Sequence, residues 1–114
     1  MKDDAVYLKH ILDSIRRIEE NTRDGREKFL QTHTLQDAVL RNLQTLSEST
    51  QRLSDALKAK RSEIEWKRIA AFRNILVHDY LGIDMEGIWE IVQRDVPTLK
   101  RAALALLNSV EEKP

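Results

Sequence analysis

Apolar residues recur at three- and four-residue steps along most of this 114-residue chain, which is the spacing of amphipathic helices. No segment alternates strictly between apolar and polar residues, and no hairpin turn separates two apolar runs. Only three glycines and two prolines interrupt the pattern. The sequence therefore predicts an all-α protein, an antiparallel bundle of four to five helices in one domain over residues 1–114.

The first half of the chain is predicted to hold two long helices. An apolar stripe that starts at Val6 and ends at Ile18 predicts the first, over residues 3–20. Residues 21–34 are a polar connector with a short helical turn around 26–30. Thr34 is expected to cap the second helix, which carries a leucine stripe through about Ala59.

The second half is predicted to contain two or three more helices. Ser62 followed by Glu65 has the form of a capping box, which opens a helix that continues through Trp66 and Val77 toward His78. Gly82 is a plausible stop, and Asp84 is placed to cap the next segment. Pro97 suits the first turn of a final helix through Val110.

The composition excludes several classes of function. Nineteen basic residues balance nineteen acidic ones, so any contact with RNA must be a local patch. The chain has no cysteine, which excludes thiol catalysis and thiolate zinc sites and fits a reducing compartment. No run approaches the roughly 20 apolar residues that span a bilayer, and we expect a cytoplasmic protein that does not enter a membrane.

One dense polar segment lies within an otherwise apolar helix: Arg73-Asn74-Ile75-Leu76-Val77-His78-Asp79-Tyr80. On a regular helix positions 73 and 78 diverge by roughly 140°. They converge on one phosphate if the helix ends near Val77, if a two-fold partner brings a second copy alongside, or through both together. We expect both.

This set of residues favours phosphodiester cleavage in RNA. A histidine titrating near neutral pH can move a proton while Arg73 neutralises the phosphate, and the ribose 2′-hydroxyl can supply the nucleophile. This route needs no metal or other cofactor, which suits a chain whose three histidines, His10, His33 and His78, lack metal-ligand spacing. Asn74 and Tyr80 are candidate supporting residues. The alternative is structural: a histidine at a helix end and an arginine paired with a neighbouring helix.

The segment resembles the R-x4-H-x-Y signature of HEPN domains, specifically the HepT-like toxins. The stretches 35–43, 64–70, 82–89 and 95–99 are also similar to that family. The resemblance implies an all-α homodimer in which two motifs face each other and form a composite ribonuclease site, with Arg73 and His78 catalytic. It also implies a type VII toxin–antitoxin pair, in which a minimal nucleotidyltransferase antitoxin silences the toxin by transferring AMP to Tyr80.

Several residues outside the motif each allow two interpretations. Ser47 stands where relatives often carry glycine before Glu48, a change that would loosen the dimer or shift the cleft if that glycine permits close helix approach. Four residues of the second helix are either supporting or interface residues, or part of a solvated face: Asp37, Arg41, Asn42 and Glu48. The basic run 58–61 is either a helix end or a guide for RNA. Trp66 and Trp89 are expected in the core or an interface.

Two rival functions remain open at this point. In the first, the chain is a non-catalytic helical partner or substrate-binding subunit of a nucleotidyltransferase. In the second, it is a plain adaptor whose polar motif is buried and salt-bridged. The sequence does not indicate which RNA would be cut.

Overall fold

The computed structural model describes residues 2–78 and 84–111, and within these ranges the side chains of 3–73 and 84–111. All regular secondary structure in these ranges is helical, which confirms the all-α prediction. Four helices are long and two are short: α1 (Lys2–Thr22), α2 (Arg26–Gln31), α3 (His33–Gln51), α4 (Asp55–Ala59), α5 (Trp66–His78) and α6 (Met85–Glu111). None of these helices is long and apolar enough to cross a membrane.

Helix α1 packs between α3 and α6. Its predicted stripe is buried, because Leu8, Ile11, Ile15 and Ile18 are at most 1% exposed. Val6 is 49% exposed instead, since two residues of helix rotate it about 200° away from Leu8. The ion pairs Lys9–Glu111 and Glu19–Lys100 show that α1 and α6 run antiparallel.

Helix α3 ends at Gln51, whereas the sequence predicted one helix through Ala59. The chain turns at Ser54, which begins the separate helix α4 and accepts a hydrogen bond from the amide of Leu57 through Oγ. The buried carboxylate of Asp4 on α1 accepts hydrogen bonds from the Ser54 amide and hydroxyl, at 2.9 and 2.7 Å. Leu53 and Leu57 are both buried, so the apolar stripe continues across a break that periodicity does not reveal.

The short helix α2 confirms the helical turn expected in the connector. It follows Gly25, whose φ of 101° favours glycine. Phe29 is fully buried and its ring centroid lies 5.5 Å from that of Trp89. Gln36 donates from Nε2 to the carbonyl oxygens of Phe29 and Leu30, which ties the end of α2 to α3.

Two predicted helix starts are displaced and one is confirmed. Helix α3 follows Thr32, so Thr34 lies within its first turn. Helix α5 starts at Trp66, where the carbonyl of Glu65 accepts the amide of Ile69, so Ser62 stands outside the helix. Asp84 does cap α6, because its Oδ1 accepts the amide of Glu86 and its carbonyl accepts the amide of Ile88.

The two last predicted segments form one helix. Pro97 lies inside the 27-residue α6 rather than in the first turn of a separate helix. Its side chain is exposed, and the residues around it that face the core, Val92, Val96 and Leu99, stay buried. The prediction of a helix start at Pro97 was wrong because the packing of both halves on one core face keeps the helix continuous.

Candidate active site

Residues 73–78 of the polar segment form the end of α5, a helix at the edge of the bundle that packs mainly on α3. The backbone is helical through His78. The side chains of Asn74 and His78 lie outside the described residues, as do the expected helix stop at Gly82 and the whole of Tyr80. Arg73 is the one predicted site residue whose side-chain contacts are described.

Arg73 is held by an acidic residue of the neighbouring helix. Its Nε donates to Oε2 of Glu48 on α3 at 3.3 Å. The two side chains are 48% and 46% exposed, so the guanidinium is paired yet open to solvent. The Arg73–Glu48 contact agrees with the alternative in which the arginine pairs with a neighbouring helix. The exposure of Arg73 does not agree with an adaptor whose motif is buried. Exposed pairs of this kind contribute about 0–1 kcal/mol, too little to withdraw Arg73 from an incoming phosphate.

The contact between α3 and α5 is fixed directly beside this pair. Ser47 is fully buried and its Oγ donates to the carbonyl of Ala70 at 3.2 Å. Gln51 reaches the same carbonyl through Nε2 at 3.5 Å. Since Ser47 is covered within a single chain, it links two helices of one protomer and does not itself present a surface to a second copy.

A second anchor attaches α5 to α6. Arg68 donates from Nε and Nη2 to the two carboxylate oxygens of Asp95, each at 3.0 Å. The hydrogen bond to Asp95 raises the pKa of the Arg68 guanidinium above its usual value, and the same group lies over the ring of Phe72. The sequence does not predict this ion pair, because 27 positions separate Arg68 from Asp95 and no spacing rule links them.

The outward face of α5 is marked by Lys67 and Ala71, which are both exposed, while Ile69 and Phe72 face the core. Positions 74 and 78 continue the face of Lys67 and Ala71 at helical spacing. Because the backbone stays helical to His78, positions 73 and 78 keep their divergence of roughly 140°. The helix does not end before His78, so local unwinding ahead of that residue does not bring the two positions together.

The remaining candidate residues on α3 differ in how exposed they are to solvent. Asn42 is half-buried and donates to the carbonyl of Ala38 on its own helix at 2.8 Å. Asp37 and Arg41 are exposed. Arg41 lies seven residues, about two turns, before Glu48 on the same face of α3.

The aromatic and basic residues outside the motif have structural contacts. The Trp66 indole donates to the carbonyls of Lys58 and Arg61, at 3.1 and 3.2 Å. Lys58 lies in the last turn of α4 and Arg61 just beyond its end, so the run 58–61 does form a helix end. His10 and His33 are exposed. Among the described side chains, no three histidine, aspartate or glutamate residues lie close enough to share a metal ion.

An all-α bundle with an Arg-x4-His segment on an edge helix defines this chain as a protein of the HEPN class. The profile described as ribonuclease HepT-like matches residues 11–106. The chain therefore belongs to the HepT-like ribonuclease family.

Relatives of this family are similar along most of the chain. A Methanocaldococcus jannaschii protein whose name joins a gamma-glutamylcyclotransferase to a proposed RNase is 38% identical over 112 residues, 97% of this chain and 50% of that protein. A second protein of that organism, named as a proposed RNase, is 33% identical over 101 residues, 88% of this chain and 93% of its own. A probable ribonuclease HepT of Thermococcus cleftensis is 37% identical over 95 residues, 82% and 86% of the two chains.

The chain thus spans half the length of the first of these relatives and most of the length of the other two. No solved structure gives a significant match to it.

Proposed function

We propose that this protein is a metal-independent endoribonuclease that acts as the toxin of a toxin–antitoxin pair. Its site combines Arg73 and His78 from the two α5 helices of a homodimer, with Asn74 and Tyr80 in support. The observation that carries the proposal is Arg73, a half-exposed guanidinium on the edge helix of a HepT-like ribonuclease fold. The substrate is RNA, and the protein acts in the cytoplasm.

The chemistry follows from the two residues. His78 accepts the proton of a ribose 2′-hydroxyl, and the 2′-oxygen attacks the adjacent phosphorus. Arg73 stabilises the additional negative charge on the phosphate oxygens. The P–O5′ bond breaks and O5′ takes up a proton, so the products are a 2′,3′-cyclic phosphate and a 5′-hydroxyl.

The divergence of positions 73 and 78 supports a dimer. One regular helix does not direct both residues at one phosphate, whereas a second α5 packed against the outward face brings a second copy of each position near. Ala71 is small and exposed at the middle of that face, which permits close approach of another helix.

Regulation is proposed to act on Tyr80, two residues beyond α5. A minimal nucleotidyltransferase antitoxin transfers AMP from a nucleoside triphosphate to the tyrosine oxygen: the tyrosine O–P bond forms, the bond to the leaving pyrophosphate breaks, and the tyrosine hydroxyl loses its proton. The added group is bulky and anionic, so it fills the cleft and repels RNA phosphate near Arg73 and His78.

Two parallel measurements test the proposal. Purified wild-type protein should cleave RNA in the presence of EDTA and leave 2′,3′-cyclic phosphate ends. Arg73→Ala and His78→Ala should each lose cleavage, while His10→Ala, which replaces an exposed histidine outside the motif, should keep it. Cleavage that persists in both motif variants would contradict the assigned site.

Co-expression with the proposed nucleotidyltransferase antitoxin tests the regulation. Intact mass should show AMP-sized additions that are lost in Tyr80→Phe and retained in Tyr7→Phe, a control at the chain's other tyrosine. Only unmodified protein should cut RNA. A stable complex without modification and without cleavage would favour the non-catalytic partner.

A further inference from the structure

Glu48 hydrogen-bonds to the Arg73 guanidinium at its Nε and not at its terminal nitrogens. The carboxylate accepts from Nε, with Oε2 and Nε 3.3 Å apart. Nη1 and Nη2 together form a second edge of the planar guanidinium, and this edge suits two oxygens of one phosphate. A carboxylate on Nε therefore holds the group in place without occupying the edge that best fits a phosphate.

The backbone that carries Glu48 is itself fixed. The adjacent Ser47 is fully buried and bonded to the carbonyl of Ala70, and Gln51, three residues beyond Glu48, reaches the same oxygen. Ala70 lies three residues before Arg73 on α5. These contacts set the position of the Glu48 carboxylate relative to the base of the Arg73 side chain.

An arginine side chain on an exposed helix samples many rotamers, and catalysis loses rate when a charged group is not already oriented toward the reacting phosphate. We propose that Glu48 is a positioning residue for Arg73, which fixes the guanidinium through Nε so that its terminal nitrogens face the phosphate. This inference rests on the proposed ribonuclease function. Glu48 itself is not required to touch RNA.

Kinetics of three variants test this role. Glu48→Ala should lower kcat by up to about fivefold, the largest change in the population of the oriented rotamer that an exposed pair of this kind can produce, with little change in KM. Glu48→Gln should retain most of kcat, because its amide oxygen still accepts from Nε. Glu19→Ala is the matched control: Glu19 is 48% exposed and forms an interhelical pair with Lys100 at 2.9 Å, away from α5, so its removal should leave kcat unchanged.

A measurement independent of cleavage separates this inference from the function on which it rests. The Nε–H group of Arg73 should be ordered by ¹⁵N relaxation in the wild type and in Glu48→Gln, and mobile in Glu48→Ala. Equal mobility in all three proteins, or unchanged kcat in Glu48→Ala, would overturn the positioning role. Absence of RNA cleavage by the wild type, with Arg73 still ordered by Glu48, would instead refute the ribonuclease function.

Discussion

At the scale of single residues, Ser47 makes the clearest structural contribution. Its hydroxyl is fully buried and bonds to the carbonyl of Ala70 on α5. Ser47→Ala removes one net hydrogen bond, so we expect the free energy of unfolding to fall by about 1 kcal/mol. Ser47→Gly should lower it by about 0.5–1 kcal/mol more, since glycine is less favourable within a helix. Urea denaturation measures both changes.

Thr45 on the same helix provides the control. It is exposed and its hydroxyl bonds only to the carbonyl of Arg41, so Thr45→Ala should change stability by less than about 0.5 kcal/mol. Equal effects at positions 45 and 47 would contradict a specific link between α3 and α5. The sequence identified Arg73 and Glu48 as candidates but not as partners, because helical period assigns a residue to a face and does not identify what lies opposite.

At the scale of helices, Pro97 is the most testable feature. It lies inside α6, where it donates no amide hydrogen to the carbonyl of Gln93 four residues earlier. Pro97→Ala should raise the free energy of unfolding by about 2 kcal/mol. This is the cost of about 3 kcal/mol for proline within a helix, less about 1 kcal/mol because proline also restricts the unfolded chain.

The thermal midpoint of Pro97→Ala, compared with that of Gln93→Ala, checks this expectation. Gln93 is exposed, so its substitution should have little effect. A less stable Pro97→Ala protein would mean that a bend at proline is needed for the packing of α6 against α1.

The sequence predicted the helices themselves better than their ends. Apolar stripes correctly located the long helices because burial of one face stabilises them. The break after Gln51 was missed, although Ser54 followed by Asp55 is the signature of a helix start, because Leu57 continues the stripe. Pro97 was misread because proline suits a first turn far better than a helix interior, and only the shared core face shows that α6 is continuous.

At the scale of the whole molecule, α5 lies at the edge of the bundle. It is anchored to α3 through Ala70 and Arg73 and to α6 through Arg68. Its opposite face, marked by Lys67 and Ala71, is exposed. The sequence gives the order of the motif residues along this helix, but not which of them a second protomer would meet, since that depends on how two folded chains pack.

A composite site makes a specific prediction for mixed dimers. If Arg73 of one protomer and His78 of the other act on one phosphate, Arg73→Ala and His78→Ala proteins are each inactive alone. A mixed dimer retains one intact pair, because one protomer still supplies the arginine and the other the histidine. Mixing the two variants after subunit exchange should therefore restore part of the RNA cleavage, to roughly a quarter of the wild-type rate for statistical pairing.

The control mixes each variant with its own copy, which should stay inactive at any concentration. Dilution should also lower the specific activity of the wild type, in step with dimer dissociation measured by sedimentation. If the mixture stays as inactive as its components while mixed dimers form, both residues of a site come from the same chain. Position 78 would then have to approach Arg73 across the roughly 140° that a regular helix places between them, and α5 would need to unwind when RNA binds.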